Sequence, residues 1–420
     1  MVINSDPFKD RRRWRNRGKT IQESSAAAVA DSDFIYLAVS LPEEIISDIL
    51  IKLPVKSLSR FKSVCKSWRI LISDPAFVKA HLKGNMQNKD HASHKLIMKT
   101  ALLHFDVKFC SMSSVMNGES SITGLNYPWV NPHRSVRIIG SVNGLVCLVC
   151  QSLLSGEASL YVWNPCTGKA KRLPSYGTET DVGRIVSYGF GYDEVNDDYK
   201  LVVIYLLRTS SSIEWNFRPE GKIYGLKSGS WSRIENVYKR TRVYALCTYV
   251  SGSLNWEAAD GLIASFDLSK ETWSVISRPV YLNEERAIWG LNIGNLDGKL
   301  CQLFYLEEMM KIDLWVMKEF GKVESWLKMY SIPYQCEIDA FKYCAFLIIF
   351  SKNKVLMLIG SDLMLYNLET KTVTQPDIQN ISNFLDVATY VESLVSPDDA
   401  SNKSISELAD EDINYAVRLR

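Results

Sequence analysis

Residues 41–82, LPEEIISDILIKLPVKSLSRFKSVCKSWRILISDPAFVKAHL, decide how this chain is read. Apolar residues at Ile45, Ile46, Ile49, Leu50 and Leu53 mark one helical face, behind Ser40 and Glu43 at capping-box spacing and Pro42 in the first turn. Pro54 disfavours helix at Leu53 and starts a second segment, striped with Leu58, Phe61, Val64, Cys65, Trp68, Leu71 and Ile72. Asp74 and Pro75 suit the N-cap and first position of a third helix that ends near Gly84. The spacing therefore predicts three helices. Roughly forty residues is too few for a self-sufficient core without disulfides or metal, so a partner is expected to complete it.

The texture changes on either side. Residues 9–19, KDRRRWRNRGK, hold seven basic residues against one acidic, and 24–30 are small side chains without periodicity. A solvated arm is expected, with nuclear import or an anionic contact as its functional reading. Residues 396–420 carry six acidic and three basic residues and read as an acidic tail. A net charge of +2 gives no global field toward nucleic acid or membrane. No apolar run approaches a membrane span, and the first thirty residues lack a secretory apolar segment. Nine cysteines, an odd number without a framework, fit reduced thiols of the cytosol or nucleus. In that setting the Asn380-Ile381-Ser382 and Asn402-Lys403-Ser404 sequons carry no meaning.

From about 95 to 395 the chain reads as strands with a weak repeat. One phrase is an apolar strand, a polar turn, then a second strand often carrying Trp. It runs from Tyr161 to Lys169, Ile223 to Trp231, Ala264 to Trp273, Ile312 to Gly321 and Leu365 to Thr372. A second phrase precedes several copies: Val142-Asn143-Gly144-Leu145, Val250-Ser251-Gly252-Ser253-Leu254 and Leu296-Asp297-Gly298-Lys299-Leu300. These turns supply positive φ for tight reversals of short antiparallel strands. Alternation over Leu201–Leu207 and at Leu254 and Trp256 predicts one buried face per strand. The interval from Phe266 to Trp315 to Tyr366 is roughly fifty residues, near one propeller blade, which gives roughly six blades. The 61 residues between Trp163 and Tyr224 break that spacing and point to a hidden or elaborated blade. A β-sandwich with long loops would bury the same alternation.

Chemistry is sparse. Cys147 and Cys150 have CxxC spacing, but on a strand an odd separation turns the thiols to opposite faces, and no second pair completes a zinc site. The histidines are His81, His91, His94, His104 and His133; His91 and His94 have a metal-compatible helical spacing inside a polar linker, where solvated side chains are the better reading. Gly189-Phe190-Gly191 lacks the third glycine and following helix of a phosphate loop and reads as a strand turn. No nucleophile elbow or P-loop lysine motif is present. Trp163, Trp231, Trp256, Trp273 and Trp315 sit at repeated strand positions and are assigned to packing. Loop candidates for recognition are Tyr127–Trp129 with Asn131–Arg134, Glu214–Arg218, and Asn283–Arg286. No catalytic, cofactor or metal site emerges.

The ordered set Leu41-Pro42, Glu44-Ile45, Ile49-Leu50, Leu53-Pro54-Val55-Lys56-Ser57-Leu58, Arg60-Phe61, Val64-Cys65-Lys66-Ser67-Trp68-Arg69, Asp74-Pro75 with Phe77, and His81-Leu82 closely resembles the F-box, in its plant form. Ser141–Cys147, Trp163-Asn164-Pro165 with Thr167-Gly168, and Gly189–Asp193 with Asp198–Val203 resemble the plant F-box-associated domain, similar to kelch-type propellers though without the kelch double glycine. The resemblance implies an α+β multidomain chain: a basic arm (1–37), a three-helix F-box (38–84), a linker (85–95), a mostly-β, propeller-like domain (96–395) and an acidic tail (396–420). It implies the non-catalytic substrate receptor of an SCF ubiquitin ligase, cytoplasmic or nuclear, with no cofactor. Partners would be a Skp-type adaptor, through it cullin and RING subunits, and a target protein, but neither nucleic acid nor an inserted membrane. Adaptor docking falls to Leu41, Pro42, Ile45, Ile49, Leu53, Leu58, Phe61, Val64, Cys65 and Trp68, a set the sequence does not divide into contact and internal packing. A non-ligase scaffold and a glycan-binding propeller are the alternatives.

Overall fold

The structure, a computed structural model, describes residues 41–398 except 89–91, 101–106, 119–121, 125–133, 156, 178–181, 209–216, 240–246, 259–260, 280–288, 307–309, 334–348, 352, 360–361, 377 and 379–383. Four helices, not three, occupy the opening region: α1 (Glu43–Leu50), α2 (Val55–Phe61), α3 (Lys66–Ser73) and α4 (Pro75–Gln87). The second predicted helix is broken at 62–65, where Cys65 turns extended (φ −155°) and takes the N-cap position of α3 without a side-chain capping bond. In one helix Phe61 and Trp68 would be separated by a rise of about 10 Å; the break brings their rings to 5.4 Å. Asp74 caps α4 as its residue type predicts, accepting from Ala76 and Phe77 N–H at 2.8 and 3.2 Å. Helix α4 passes through Gly84 to Gln87 because nothing at Gly84 demands a left-handed backbone. Ser40 lies outside the described residues.

The described strands form six four-stranded antiparallel sheets. Five are consecutive in the chain. The first runs β4 (Arg134–Val142), β5 (Leu145–Ser152), β6 (Ala158–Trp163), β7 (Ala170–Arg172), and the second β8 (Val182–Asp193), β9 (Asp198–Arg208), β10 (Phe217–Gly225), β11 (Ser230–Ile234). Next come β12 (Thr248–Val250), β13 (Ser253–Glu257), β14 (Ile263–Asp267), β15 (Thr272–Ile276), then β16 (Trp289–Leu296), β17 (Lys299–Leu306), β18 (Lys311–Met317), β19 (Trp326–Pro333). The fifth is β20 (Ile349–Ser351), β21 (Lys354–Ile359), β22 (Asp362–Asn367), β23 (Val373–Thr374). The sixth joins the ends of the domain: β1 (His94–Thr100), β2 (Val107–Ser111) and β3 (Ile122–Gly124) receive β24 (Phe384–Val391), which pairs with β1 from His94↔Val391 onward. Helix α5 (Met112–Asn117) follows β2. This is a six-bladed propeller closed by its last strand, with edges protected by radial repetition rather than by a sandwich partner.

The repeated phrases acquire positions. The first is the third-to-fourth-strand hairpin of five blades, and the second is the first-to-second-strand turn of three. Asn143 and Gly144 (φ 53° and 79°), Ser251 and Gly252 (49° and 77°), and Asp297 and Gly298 (49° and 76°) have the paired positive φ of type I′ hairpins. Both hairpin types emerge on one side of the antiparallel sheets, the side where the chain also enters β1. The second blade is the elaborated one: β8 and β9 are 12 and 11 residues long, which stretches the interval to Tyr224.

Alternation sorts residues between neighbouring blades rather than between core and solvent. On β9, Leu201, Val203 and Tyr205 pack one way with Leu145 and Cys147, while Val202 and Ile204 pack the other way with Leu254 and Trp256. Cys147 and Cys150 likewise enter different clusters. Gly189 and Gly191 stand inside β8, not in a turn. A Cβ there would lie 2.8 Å from Trp256 Cζ2 and 2.6 Å from Leu268 Cδ1, so the missing side chain lets the next blade approach.

Candidate functional site

The helices divide their apolar residues sharply. Leu50, Val55, Leu58, Ile72 and Phe77 are buried in one cluster, with Ile46, Ile51, Leu53, Phe61, Trp68, Leu71 and Val78 half-buried around it. Imidazole His81 is buried too; its Nε2 lies 2.9 Å from the Leu53 carbonyl and ties α4 to the turn after α1. Outside this core, Leu41, Ile45 and Ile49 are 51%, 45% and 50% exposed, and Val64 is 62% exposed. Pro42 and Cys65 are exposed as well. Leu58, counted above with the docking residues, is fully buried and belongs to the packing set. Leu53, Phe61 and Trp68 are half-buried between the two. Ile70 on α3, 72% exposed, extends the outward apolar set and escaped the stripe because it sits off the face shared by Leu71 and Ile72.

Electrostatics at this surface are mild. The Cys65 thiol is lowered by its hydrogen bond with Ser67 Oγ at 3.1 Å and by a backbone bond at Trp68. Buried thiols elsewhere move oppositely: burial pushes Cys110 up to about 12 and Cys301 up to about 12, leaving both as inert packing groups. Among the described residues no three His, Cys, Asp or Glu side chains gather as a metal site, and no helix is long and apolar enough to cross a membrane.

Other sequence candidates scatter. His94 opens β1 instead of joining a helix, and His91, His104 and His133 lie outside the described residues. So do Tyr127–Trp129, residues 131–133, Glu214–Asn216 and Asn283–Arg286. Trp163 and Trp256 are buried in blade clusters, and Trp231, Trp273 and Trp315 pack against such clusters.

One arrangement had no signal in local sequence. Asn164 forms the turn after β6, its Oδ1 accepting from Cys166 N–H at 2.8 Å. Its Nδ2 donates to the carbonyls of Ser393 and Val395, at 3.0 and 2.6 Å, 229 and 231 residues further along the chain. Leu394, between them, enters the helical cluster. An Asn-Pro turn is legible; a partner that distant is not.

Short helices with exposed apolar residues ahead of a closed six-bladed propeller define a class by architecture. Residues 39–79 match the F-box domain, and residues 100–397 match the F-box associated beta propeller domain. The chain belongs to the F-box-associated β-propeller family of F-box proteins. An F-box/kelch-repeat protein of Arabidopsis thaliana is 33% identical over 372 residues, covering 86% of this chain and 96% of its own. The F-box protein CPR1 of the same plant is 29% identical over 383 residues, covering 85% and 89%.

Proposed function

We propose that this chain is the substrate-recognition subunit of an SCF ubiquitin ligase, binding a Skp-type adaptor through the helices and a target protein through the propeller. The observation that carries the reading is the coincidence of the F-box match with solvent-facing Leu41, Pro42, Ile45, Ile49, Val64 and Cys65. Apolar residues left in solvent in such number favour a partner, while Leu58 and its neighbours keep the helices folded beneath. The adaptor brings cullin and RING subunits, and the propeller raises the local concentration of target lysines near the charged conjugating enzyme. The chain contributes position and selectivity; thioester chemistry belongs to its partners, in cytoplasm or nucleus.

The test is reconstitution of the full chain with a plant Skp-type adaptor, cullin and RING subunits. Ubiquitin transfer onto the receptor chain is expected, together with loss of adaptor co-elution and of transfer in the Leu41→Ala/Pro42→Ala double variant. Assembly without any transfer would identify a non-ligase scaffold instead. Adaptor binding retained by the double variant would refute the docking surface.

A further inference from the structure

Residues 392–398, which follow the closing strand of the propeller, do not leave the molecule as a tail. Leu394 is 6% exposed and packs with Leu50, Val55, Leu58, Ile72 and Phe77 of the helices, and Cys166 of the first consecutive blade packs beside them. On one flank, Asn85 of α4 donates to the Glu392 carbonyl at 3.0 Å and accepts from Ser93 Oγ at 3.1 Å. On the other, Asn164 holds the carbonyls of Ser393 and Val395. Ser393 is fully buried against the β4–β5 turn: a Cβ on Gly144 would stand 2.1 Å from Ser393 Oγ and 2.6 Å from the Val391 carbonyl. Lys171 pairs with Asp398 at 3.1 Å, and Lys79 of α4 pairs with Asp197 of the β8–β9 turn at 2.8 Å.

We infer that residues 392–398 are a positioning strap, with Leu394 its anchor, that locks the helical region to the propeller at one fixed orientation. A single chain connection between α4 and β1 does not by itself fix the orientation of one part against the other. A side chain shared by the helical core, on a backbone held by Asn164 and Asn85, removes that freedom. Leu394, from just after the last blade strand, covers one side of the core that the helical residues do not complete alone. Resting on the receptor reading above, the consequence is that ubiquitin is offered to a restricted set of lysines, because the adaptor-binding face stands in constant register with the blades. Leu394, Asn85 and Asn164 thus act as positioning residues, through the geometry they fix.

The experiment uses the full chain bound to a plant Skp-type adaptor, with donor and acceptor dyes on non-natural residues at positions 83 and 270, both on exposed lysines. Single-molecule energy transfer is expected to show one narrow population for the native sequence. Leu394→Asp should broaden it at least twofold, with adaptor co-elution and the propeller's thermal transition retained. Leu394→Ala and Asn85→Ala provide milder versions if Leu394→Asp does not fold. A broad native population, or Leu394→Ala and Asn85→Ala distributions as narrow as the native one, would overturn the strap. In the reconstituted ligase, ubiquitin sites mapped on the receptor's own lysines should be few for the native chain and spread in the variants. Absence of transfer in every sample counts against the receptor reading, while the energy-transfer widths still decide for or against the strap.

Discussion

The helical region and the propeller bury apolar residues in different ways. In the propeller, strands such as β5, β9 and β13 are buried on both faces, and each blade closes against the next until β24 returns to β1. In the helices a small core is covered on one side by Leu394, while Leu41, Ile45, Ile49 and Val64 remain in solvent. A closed ring of blades buries its strands between neighbours and leaves apolar side chains such as Leu154 and Val195 exposed at turns. A four-helix segment of this size cannot bury all of its own apolar surface, and in the proposed reading the surplus serves for docking. The contrast separates residues that hold the fold from the exposed apolar residues proposed to dock.

The contrast breaks first at its most buried points. Trp256, fully buried between two blades and donating to Ser187 Oγ at 2.9 Å, should cost about 3–5 kcal/mol as Trp256→Ala. Differential scanning calorimetry of the full chain will read this as a lowered propeller transition. Leu58→Ala should remove about 2–5 kcal/mol from the helical region, seen as faster amide exchange over α1–α4 with the blades unchanged. Gly144→Ala meets both a positive φ and the collision with Ser393. About 1–3 kcal/mol of destabilisation follows, and protease should reach residues 392–398 sooner.

Ile49→Asp tests the opposite side. Because Ile49 is half exposed, stability should change by less than about 0.5 kcal/mol. Adaptor affinity measured by calorimetry should nevertheless fall at least about tenfold. A stability loss matching that of Leu58→Ala would erase the distinction between the two sets.

The smallest effect concerns pH. Hydrogen bonds from Lys79 and Tyr192, then Lys227, hold the Asp197 carboxyl well below the usual aspartate range. A carboxyl lowered on folding stabilises above its unfolded value of about 3.9 and loses that contribution as pH falls toward the folded value. The pairs are substantially exposed, so the contribution stays below about 1 kcal/mol and shrinks with salt. The melting difference between native chain and Asp197→Asn should therefore be small at pH 7 and shrink steadily as pH falls below about 4.

Much of this was legible. The F-box set from Leu41 to Leu82, the turns at Asn143-Gly144, Ser251-Gly252 and Asp297-Gly298, and a blade interval near fifty residues all point to the observed architecture, because local turn chemistry and period-two burial act within a few residues. Three features were not. The break at 62–65 is set by Phe61 meeting Trp68, a tertiary contact that a continuous apolar stripe disguises. Both faces of β9 are buried because blades stack, which alternation alone does not reveal. Leu394 reaches a core formed more than three hundred residues earlier, and no local pattern encodes that distance.

Hydrogen–deuterium exchange of the full chain with and without a plant Skp-type adaptor tests whether the exposed helical residues form the docking surface. New protection is expected over Leu41–Leu50 and over Val64–Ile70, with little change on the six blades. Protection on the blades with none on those helical segments, or no binding by a folded chain, would contradict it.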